Sequence, residues 1–348
     1  MLPKSMILRI YQTVLVLAAA VSGGLALSAG ASLSQEVNVL SHRQPFLIEP
    51  LFEAFEAETG ITVNTVFADK GLVERLIREG RNSPADLIFT VDVSRLDAAF
   101  RAGVTQSVTT PALQASIPPQ FRGPDDHWWG LTTRARVVYA AKGRVAPDEI
   151  TSYEDLADPK WRGRICTRSG SHAYQIGLLS AMIAHHGQDF ARTWLEGVKA
   201  NLARKPQGND RAQVRAISQG VCDISLGNSY YYGQMLDDPD QRDWALASNV
   251  VFPALGGTGV HVNISGMALT ASAPNRDNAI RLMEFLAGDT GQQIYAEDNY
   301  EYPIKAGVPW ASLLSELGAF AVDDIELAEI AANRDAAQRL VDQVGYDD

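Results

Sequence analysis

The sequence predicts an α/β fold with two lobes, each a mainly parallel β-sheet flanked by helices. Strand patterns and amphipathic helix patterns alternate in a β-α-β-α-β-α order over residues 36–102, and the alternation resumes after residue 152. Residues 85–91 form a nearly continuous apolar run, which is typical of a parallel strand buried on both faces. The chain has 348 residues and a hydrophobic content of 46%, which is enough for two domains.

The first lobe is predicted from three strand-helix repeats. Apolar residues recur at helical spacing in residues 46–58, where Gly60 ends the helix, and Gly80 ends the next one. Residues 111–126 are rich in proline and polar residues and predict a loop. The predicted strands lie at residues 36–40, 61–67 and 85–91, and the predicted helices at 46–58, 70–79 and 94–102.

The long strand pattern at residues 129–141 is predicted to carry the chain into a second lobe, and the pattern at 261–270 to return it. After the first crossover we expect a second set of helices and strands. Helices are predicted at residues 152–156, 174–185, 190–201, 210–219, 274–287 and in the tail at 310–344, and strands at 163–167, 221–226 and 250–253. The expected domains are residues 32–132 with about 264–310, then 133–263, then C-terminal helices at 311–348.

The first 31 residues have the layout of a secretory signal peptide. Lys4 and Arg9 precede an apolar run, and Ala29-Gly30-Ala31 matches a small-x-small cleavage site. The alternative is an uncleaved membrane anchor, but the apolar run is short and interrupted, and no other stretch is long and apolar enough to span a bilayer. We therefore expect a mature chain that starts near Ser32 and is soluble outside the cytoplasm.

Composition and motifs argue against several functional classes. The formal net charge of −11 disfavours a nucleic-acid partner. The chain contains no G-x-S-x-G, no H-E-x-x-H and no P-loop, and the glycine-rich segment 256–259 lacks the spacing of a nucleotide-binding loop. These observations favour a binding protein over an enzyme.

Cys166 and Cys222 are the two cysteines of the chain. In an exported protein, this count predicts one disulfide, and the alternative is two buried free thiols. A metal site built on the two sulfurs is disfavoured because the paired C-x-x-C spacing of zinc sites is missing.

Three adjacent tyrosines, Tyr230, Tyr231 and Tyr232, lie between Gly227 and Gly233. Side chains alternate between the faces of a strand, so three neighbouring rings cannot all enter one core. The flanking glycines predict a turn where a strand gives way to a helix. One hypothesis is that the phenols converge, as phenolates, on a hard metal cation; the alternative is an aromatic packing cluster.

The spacing of tyrosines and cysteines favours the first hypothesis. Tyr174 lies eight residues after Cys166, and Tyr230 lies eight residues after Cys222. If a disulfide holds the two strands side by side, both tyrosines leave equivalent strand ends, where ligands bind in open α/β sheets. Tyr231 would lie beside them. Phenolate oxygen is a hard donor suited to ferric iron, and a trivalent cation stabilises the ionised phenol.

A second candidate cluster, Ser41-His42-Arg43-Gln44, follows the first predicted strand. Arg43 offers a planar fork for an oxyanion, and Gln44 adds amide donors. His42 could ligate a metal directly or serve as a hydrogen-bonded residue. Arg134 is a weaker candidate for the same anion pocket, with a solvated strand charge as the alternative.

Six stretches carry a resemblance to one family of exported proteins. They are residues 41–61, 85–92, 130–140, 155–175, 205–233 and 261–269. The segment DLADPKW is shared broadly among solute-binding proteins, whereas the paired tyrosines after the second cysteine strand are specific. On these residues the chain resembles the periplasmic ferric-iron-binding proteins of ABC transporters, the bacterial transferrin-like solute-binding proteins.

The resemblance implies two α/β lobes joined by crossover strands, with iron in the cleft. It places phenolate ligands at Tyr174, Tyr230 and Tyr231, and it leaves Tyr232 as a packing residue. It also implies a monomeric receptor that captures Fe(III) and delivers it to an inner-membrane ABC permease, without catalysis and without stable membrane insertion.

One departure from the family concerns the first-lobe loop. Many members supply a histidine there, often beside a tyrosine, but the aligned positions in this chain are Gln44 and Pro45. The loop is instead similar to a subclass in which three tyrosines hold iron together with a small anion such as carbonate. In that subclass pattern, Arg43 and Gln44 would bind the anion.

Three alternatives stay open at the level of sequence. The ligand could be another metal, a polyamine or a small anion. The protein could be a sensory binding protein that docks on a receptor rather than on a permease. It could also be a non-haem iron enzyme with tyrosinate ligands, although such enzymes usually need paired histidines, and the six histidines show no convincing spacing.

Overall fold

The computed structural model describes residues 35–146 and 148–348. These residues form nine strands and a larger set of helices. The predicted signal peptide, residues 1–31, lies outside the described residues. The strands are β1 Glu36–Ser41, β2 Thr62–Phe67, β3 Leu87–Thr90, β4 Trp129–Ala141, β5 Ile165–Cys166, β6 Ile224–Asn228, β7 Ser248–Val251, β8 Val262–Leu269 and β9 Tyr302–Pro303.

Seven of the α-helices in the described residues lie within two residues of their predicted bounds, and the helix predicted at residues 152–156 is a short 3₁₀ helix at Glu154–Ala157. The α-helices are α1 Pro45–Thr59, α2 Leu72–Glu79, α3 Val93–Arg101, α4 Pro111–Ser116, α5 Ala173–His186, α6 Gln188–Ala200, α7 Asp210–Ser218, α8 Tyr230–Asp237, α9 Arg242–Leu246, α10 Arg276–Ala287, α11 Asp289–Glu297, α12 Ser312–Glu316, α13 Leu327–Ala332 and α14 Arg334–Val344. No helix among these described residues combines the length and apolarity needed to cross a bilayer.

The strands form a mixed sheet in the order β2-β1-β3-β8-β4-β6-β5, with β7 and β9 paired to β4. Strand β1 runs parallel to β2 and β3, and β5 runs parallel to β6. The pairs that β4 and β8 make are antiparallel. The α/β class is confirmed, and the sheet is mixed because these two long strands run against both parallel groups.

Strand β4 carries the chain from one parallel group to the other. Its first part, residues 129–135, pairs with β8, and its second part, residues 136–141, pairs with β6 and β7. All 13 of its residues are buried. Its bounds match the predicted crossover strand at residues 129–141, a segment rich in the β-branched and aromatic residues that favour strands.

Helix α1 shows how local sequence sets an element. Pro45 occupies the first turn, where its missing N–H costs nothing, and Gly60 ends the helix with a left-handed φ of 69°. The buried face carries Leu47, Leu51 and Phe55 at helical spacing. This face packs into a core shared with β3 and β8.

A second core joins helices that are distant in sequence. Leu96 of α3 and Leu179 of α5 share it with Trp194 of α6, Ile330 of α13 and Leu340 of α14. The last two helices are therefore part of the hydrophobic interior next to the start of α5. This placement matters for the residues that follow α14.

Three local expectations were wrong. Residues 111–126 were expected to be a loop, but Thr110 accepts a hydrogen bond from Leu113 N at 3.2 Å and Pro111 opens the short helix α4. The tail at residues 310–344 is broken into three helices rather than continuous. Cys222 precedes strand β6 instead of lying within it, since the strand begins at Ile224.

Candidate functional site

Tyr174 and Tyr230 begin two neighbouring helices at one edge of the sheet. Tyr174 is the second residue of α5, which follows β5, and Tyr230 is the first residue of α8, which follows β6. Because β5 and β6 are parallel neighbours, both helices start at the same edge. The two phenol oxygens lie 3.3 Å apart. The predicted convergence of Tyr174 and Tyr230 is therefore present in the structure.

The disulfide on which this convergence depends is also present. Cys166 and Cys222 are bonded, with Cα atoms 5.9 Å apart. The strand register pairs Cys166 with Ser225 rather than with Cys222, so the bond joins the end of β5 to the turn before β6. The two strands are thus held together by main-chain hydrogen bonds and by one covalent link.

Tyr231 extends the cluster. Its ring centroid lies 4.3 Å from that of Tyr230, and it is half-buried, whereas the side chain of Tyr230 is only 3% exposed. Tyr231 and Tyr232 both pack against the core that contains the disulfide. The three tyrosines are the first three residues of α8, so their side chains point in different directions around the helix. The structure places the Tyr231 ring beside the ring of Tyr230, which contacts Tyr174.

Steric packing explains why glycine occupies the two positions that flank the tyrosines. A Cβ on Gly227 would lie 2.5 Å from Tyr139 Cε2, and a Cβ on Gly233 would lie 2.4 Å from Tyr300 Cγ. The strand does give way to a helix at this point, as predicted. However, the glycines are needed for close packing of aromatic rings on either side rather than for an unusual backbone turn.

Three guanidinium groups surround the ring of Tyr174. The central carbons of Arg134, Arg136 and Arg168 lie 5.3, 5.8 and 5.2 Å from its centroid. Asp210 accepts hydrogen bonds from Arg136 at 2.6 Å and from Arg168 at 3.0 Å. One buried carboxylate thus faces two of the three cations, and the surroundings of Tyr174 are left with excess positive charge.

Of these three cations, Arg134 is the one that has no carboxylate partner among the described residues. Its side chain is 2% exposed, its Nη1 donates to Ser265 Oγ at 3.1 Å, and its Nη2 is buried without a partner. Leaving a buried charged donor unpaired is costly unless something else satisfies it. Arg134 therefore provides a free positive charge near the phenols.

The surroundings of the Tyr230 and Tyr231 phenols favour the neutral form by raising the pKa of both groups. Burial, followed by the neighbouring Tyr174 and Tyr231, raises the pKa of Tyr230 well above its ordinary value, and Arg134 opposes this shift. Burial and Tyr174 likewise raise the pKa of Tyr231. A ligand that requires phenolates must therefore supply enough positive charge to displace these protons.

Arg43, in the loop that follows β1, has most of its guanidinium nitrogens paired within the protein. This side chain is buried, and its guanidinium donates to the Glu301 carboxylate at 2.9 and 3.2 Å and to Ser265 Oγ. Although burial disfavours the charged form, Glu301 raises the pKa of Arg43 above its ordinary value. Most of its fork is thus committed within the protein, and Nε is the atom left without a partner.

Gln44 and His42 flank Arg43 with opposite exposures. Gln44 is exposed at the start of α1 and makes no capping hydrogen bond with that helix. His42 is buried, and burial together with the charge of Arg95 lowers its pKa to about 3. Its Nδ1 is buried without a partner. His42 is therefore a neutral imidazole with a free nitrogen, as a metal ligand would be.

His172 is a neighbour of Tyr174 that the sequence analysis missed. It precedes α5, its Nδ1 accepts a hydrogen bond from Tyr174 N at 3.2 Å, and its ring centroid lies 4.6 Å from the Tyr174 ring. Asp210 and Ser265 were missed as well. A polar residue just before a helix is a recognisable capping signal, whereas nothing local marks Asp210 or Ser265 as part of this site.

A cavity of about 10 Å³ adjoins the tyrosines, which is room for about one water molecule. Its lining residues are Arg134, Arg136, Tyr174, Asn228, His261 and Asn263. The Nδ1 atom of His261 is buried without a partner, like Nη2 of Arg134. A much larger groove of about 710 Å³ lies near the ends of α2 and α3, and none of the tyrosines lines it. The polar chemistry is at the small cavity, so we assign the candidate site there.

Histidine, cysteine and carboxylate side chains do not form a metal site of their own in this structure. Among residues 35–146 and 148–348, no group of three or more of them lies close enough together to hold a metal ion. The phenol cluster is made of a different donor type.

Comparison with known proteins gives a consistent result. Residues 44–301 match the family described as bacterial extracellular solute-binding protein. Iron uptake protein A1 of Synechocystis sp. is 41% identical over 316 residues, which are 90% of this chain and 88% of that protein.

Solved structures agree with this match. The apo ferric ion-binding protein A of Pasteurella haemolytica has 50% identity and a TM-score of 0.88, over 90% of this chain and 99% of that one. A Trichodesmium protein solved in complex with iron and citrate ligands has 39% identity and a TM-score of 0.83, over 89% of this chain and 99% of that one.

Proposed function

The chain belongs to the bacterial extracellular solute-binding protein family, and we propose that it is a periplasmic receptor that captures ferric iron. The observation that carries the proposal is the meeting of the Tyr174 and Tyr230 phenols at 3.3 Å, with Tyr231 beside them. Relatives and solved structures at 39–50% identity that are named for ferric iron or iron uptake support the choice of cargo.

The chemistry of the donors favours Fe(III) over softer metals. Three phenolates from Tyr174, Tyr230 and Tyr231 would offset the charge of a trivalent ion, and softer metals prefer thiolate or imidazole. The excess positive charge of Arg134 would help the phenols to ionise. Tyr232 packs on the core and is not needed as a ligand. The role is capture and delivery rather than catalysis.

The first test is a visible spectrum recorded as ferric iron is added to the iron-free protein. Charge transfer from phenolate to iron should give a coloured complex. The double variant Tyr230→Phe with Tyr231→Phe should lose the colour, and Tyr232→Phe should keep it as a matched control. No colour in the parent protein, or undiminished colour in the double variant, would reject the proposed site.

We further propose that a small anion such as carbonate completes the iron coordination. We expect Arg43, through its unpartnered Nε, and Gln44 to bind this anion, and the unpartnered Nη2 of Arg134 adds a donor that is free of carboxylate partners among the described residues. Ser265 Oγ accepts hydrogen bonds from both Arg43 and Arg134, so the two guanidinium groups are neighbours. His42 remains a candidate for direct ligation.

Removing carbonate tests the anion. Iron affinity should fall in carbonate-free buffer, and Arg134→Met should show a smaller dependence on carbonate than the parent protein. Arg215→Met serves as the matched control, because Arg215 packs on the ring of Trp244, whereas Arg134 packs on the ring of Tyr174. If iron affinity does not change when carbonate is stripped, the proposed anion site is wrong.

The delivery step completes the proposal. We propose that the protein releases iron to an inner-membrane ABC permease after two lobes, residues 32–132 with about 264–310 and residues 133–263, open about β4 and β8. Strand β4 pairs with β6 of the second parallel group and with β8, which pairs with β3 of the first, and this connection supports the choice of hinge. If the radius of gyration measured by solution scattering is smaller with iron than without it, the result would support closure of two lobes; an equal radius would contradict it.

A further inference from the structure

The residues that follow α14 hold the loop that precedes Tyr174. Loop 167–172 connects β5 to α5 and so carries the chain from the disulfide to the phenol. Tyr346 Oη lies 3.0 Å from Thr167 Oγ1, and Tyr346 is fully buried. The far end of the chain thus contacts the first residue of this loop.

Asp347 caps the middle of the same loop. Its carboxylate accepts hydrogen bonds from Ser169 Oγ at 2.6 Å, from Gly170 N at 2.8 Å and from Ser171 N at 3.4 Å. A charged acceptor that satisfies several donors makes stronger bonds than a neutral one. Main-chain donors of a loop before a helix have no helical partners, so their satisfaction by Asp347 fixes the loop path.

Close packing adds to these polar contacts. A Cβ on Gly170 would lie 2.7 Å from Tyr346 Cδ1 and 3.0 Å from Val341 Cγ1. Gln338 on α14 also donates to Ser171 Oγ at 3.2 Å. The loop is therefore seated against α14 and its following residues along most of its length.

From the loop the contacts run directly to the phenol. His172 N donates to Ser169 O at 3.2 Å, and the His172 ring packs on Tyr174 while its Nδ1 caps the Tyr174 N–H. The Tyr174 phenol then meets Tyr230. We propose that Asp347 and Tyr346 are positioning residues that hold Tyr174 in register with Tyr230 for iron binding, an inference that rests on the proposed function.

Positioning by Asp347 differs from a general contribution to stability, because it affects iron binding through the placement of the Tyr174 side chain. In Asp347→Ala, the loop donors lose their acceptor, and Tyr174 should sample positions away from Tyr230. We expect iron transfer to a competing chelator to become about tenfold faster, which is the size of a lost charge-assisted hydrogen bond. The charge-transfer band should also shift, because one phenolate no longer keeps its geometry.

The matched control is Asp348→Asn, which removes the neighbouring charge from an exposed side chain and should leave the rate and the band unchanged. Tyr346→Phe provides a second variant, because it keeps the buried ring and removes only the hydrogen bond to Thr167. It should give a smaller acceleration in the same direction.

A double-mutant cycle with Tyr174→Phe separates positioning from stability. If Asp347 acts through Tyr174, Asp347→Ala should have no further effect on iron release in the Tyr174→Phe protein. Additive effects in the cycle, or an unchanged band in Asp347→Ala, would overturn the positioning role while the proposed function stands. No band in the parent protein would reject the proposed function, and the positioning role with it.

Discussion

The Tyr230 phenol is subject to two opposing effects, desolvation and nearby positive charge. Burial keeps it protonated, and the neighbouring phenols add to that effect, whereas Arg134 favours ionisation. The result is a group that stays neutral until a cation arrives. Under the proposed function, a site of this kind would release protons when ferric iron binds.

Iron affinity should therefore increase with pH. The pKa values of Tyr230 and Tyr231 are raised, so these phenols start protonated, and each phenol that binds iron as phenolate releases one proton. With three phenolates, the logarithm of the apparent affinity should rise by up to about three per pH unit. Partition of iron against a chelator of known pH dependence, measured on both sides of neutrality, checks this slope.

The variant Tyr231→Phe sharpens the pH prediction. It removes one ionisable ligand and keeps the ring, so the slope should fall by about one. Tyr232→Phe should leave the slope as it is. An unchanged slope in Tyr231→Phe would show that this phenol does not bind iron as phenolate.

At the scale of elements, two parallel strands place both tyrosine helices. The β5–β6 pair has only two matched residues, Ile165 with Ile224 and Cys166 with Ser225. Such a short pair supplies few main-chain hydrogen bonds, so the disulfide from Cys166 to Cys222 reinforces it. The covalent link thus supports the strand ends from which the phenols emerge.

Removing the disulfide should destabilise the fold. The two cysteines are separated by 56 residues, so the entropy model gives a loss of about 4 kcal/mol in the free energy of unfolding for Cys166→Ser with Cys222→Ser. Urea unfolding of the double variant and of the reduced parent protein should agree. If the two differ strongly from each other, or neither differs from the oxidised parent, the disulfide does not act as a cross-link of the unfolded chain.

At the scale of the molecule, long strands connect groups that are otherwise separate. Strand β4 pairs with β8 in its first part and with β6 and β7 in its second, so one buried strand belongs to both groups. Helix α13 packs on both α3 and α5, so the last helices also contact both halves. A ligand that binds between such groups stabilises the whole assembly.

Iron should accordingly stabilise the folded protein. With free ligand about a thousandfold above Kd, linkage gives a gain of about 4 kcal/mol in the free energy of unfolding. Chemical unfolding with and without a ferric chelate measures this gain. The double variant Tyr230→Phe with Tyr231→Phe should show little gain, and an equal gain in that variant would place iron elsewhere.

Much of the architecture was predictable because it depends on local patterns. The β-α alternation indicated the fold class, the strand pattern at residues 129–141 indicated β4, and the two cysteine segments placed Tyr174 and Tyr230 at one edge, although Cys166 and Cys222 are not register partners. Helix α4 and the breaks in the tail were missed, because short segments contain too few turns to show periodicity. The start of β6 was misplaced, with Cys222 inside the strand, because a strand of five residues shows too few alternations to fix its ends.

The sequence by itself determined the class of fold, the disulfide and the pair of tyrosines, because periodicity and spacing are properties of neighbouring residues. The tertiary structure alone decided which charges meet. Arg43 pairs with Glu301, which lies 258 residues away, and Ser265 joins Arg43 to Arg134. Asp347 reaches loop 167–172 from the other end of the chain. Such contacts depend on how distant segments pack, and no local pattern encodes them.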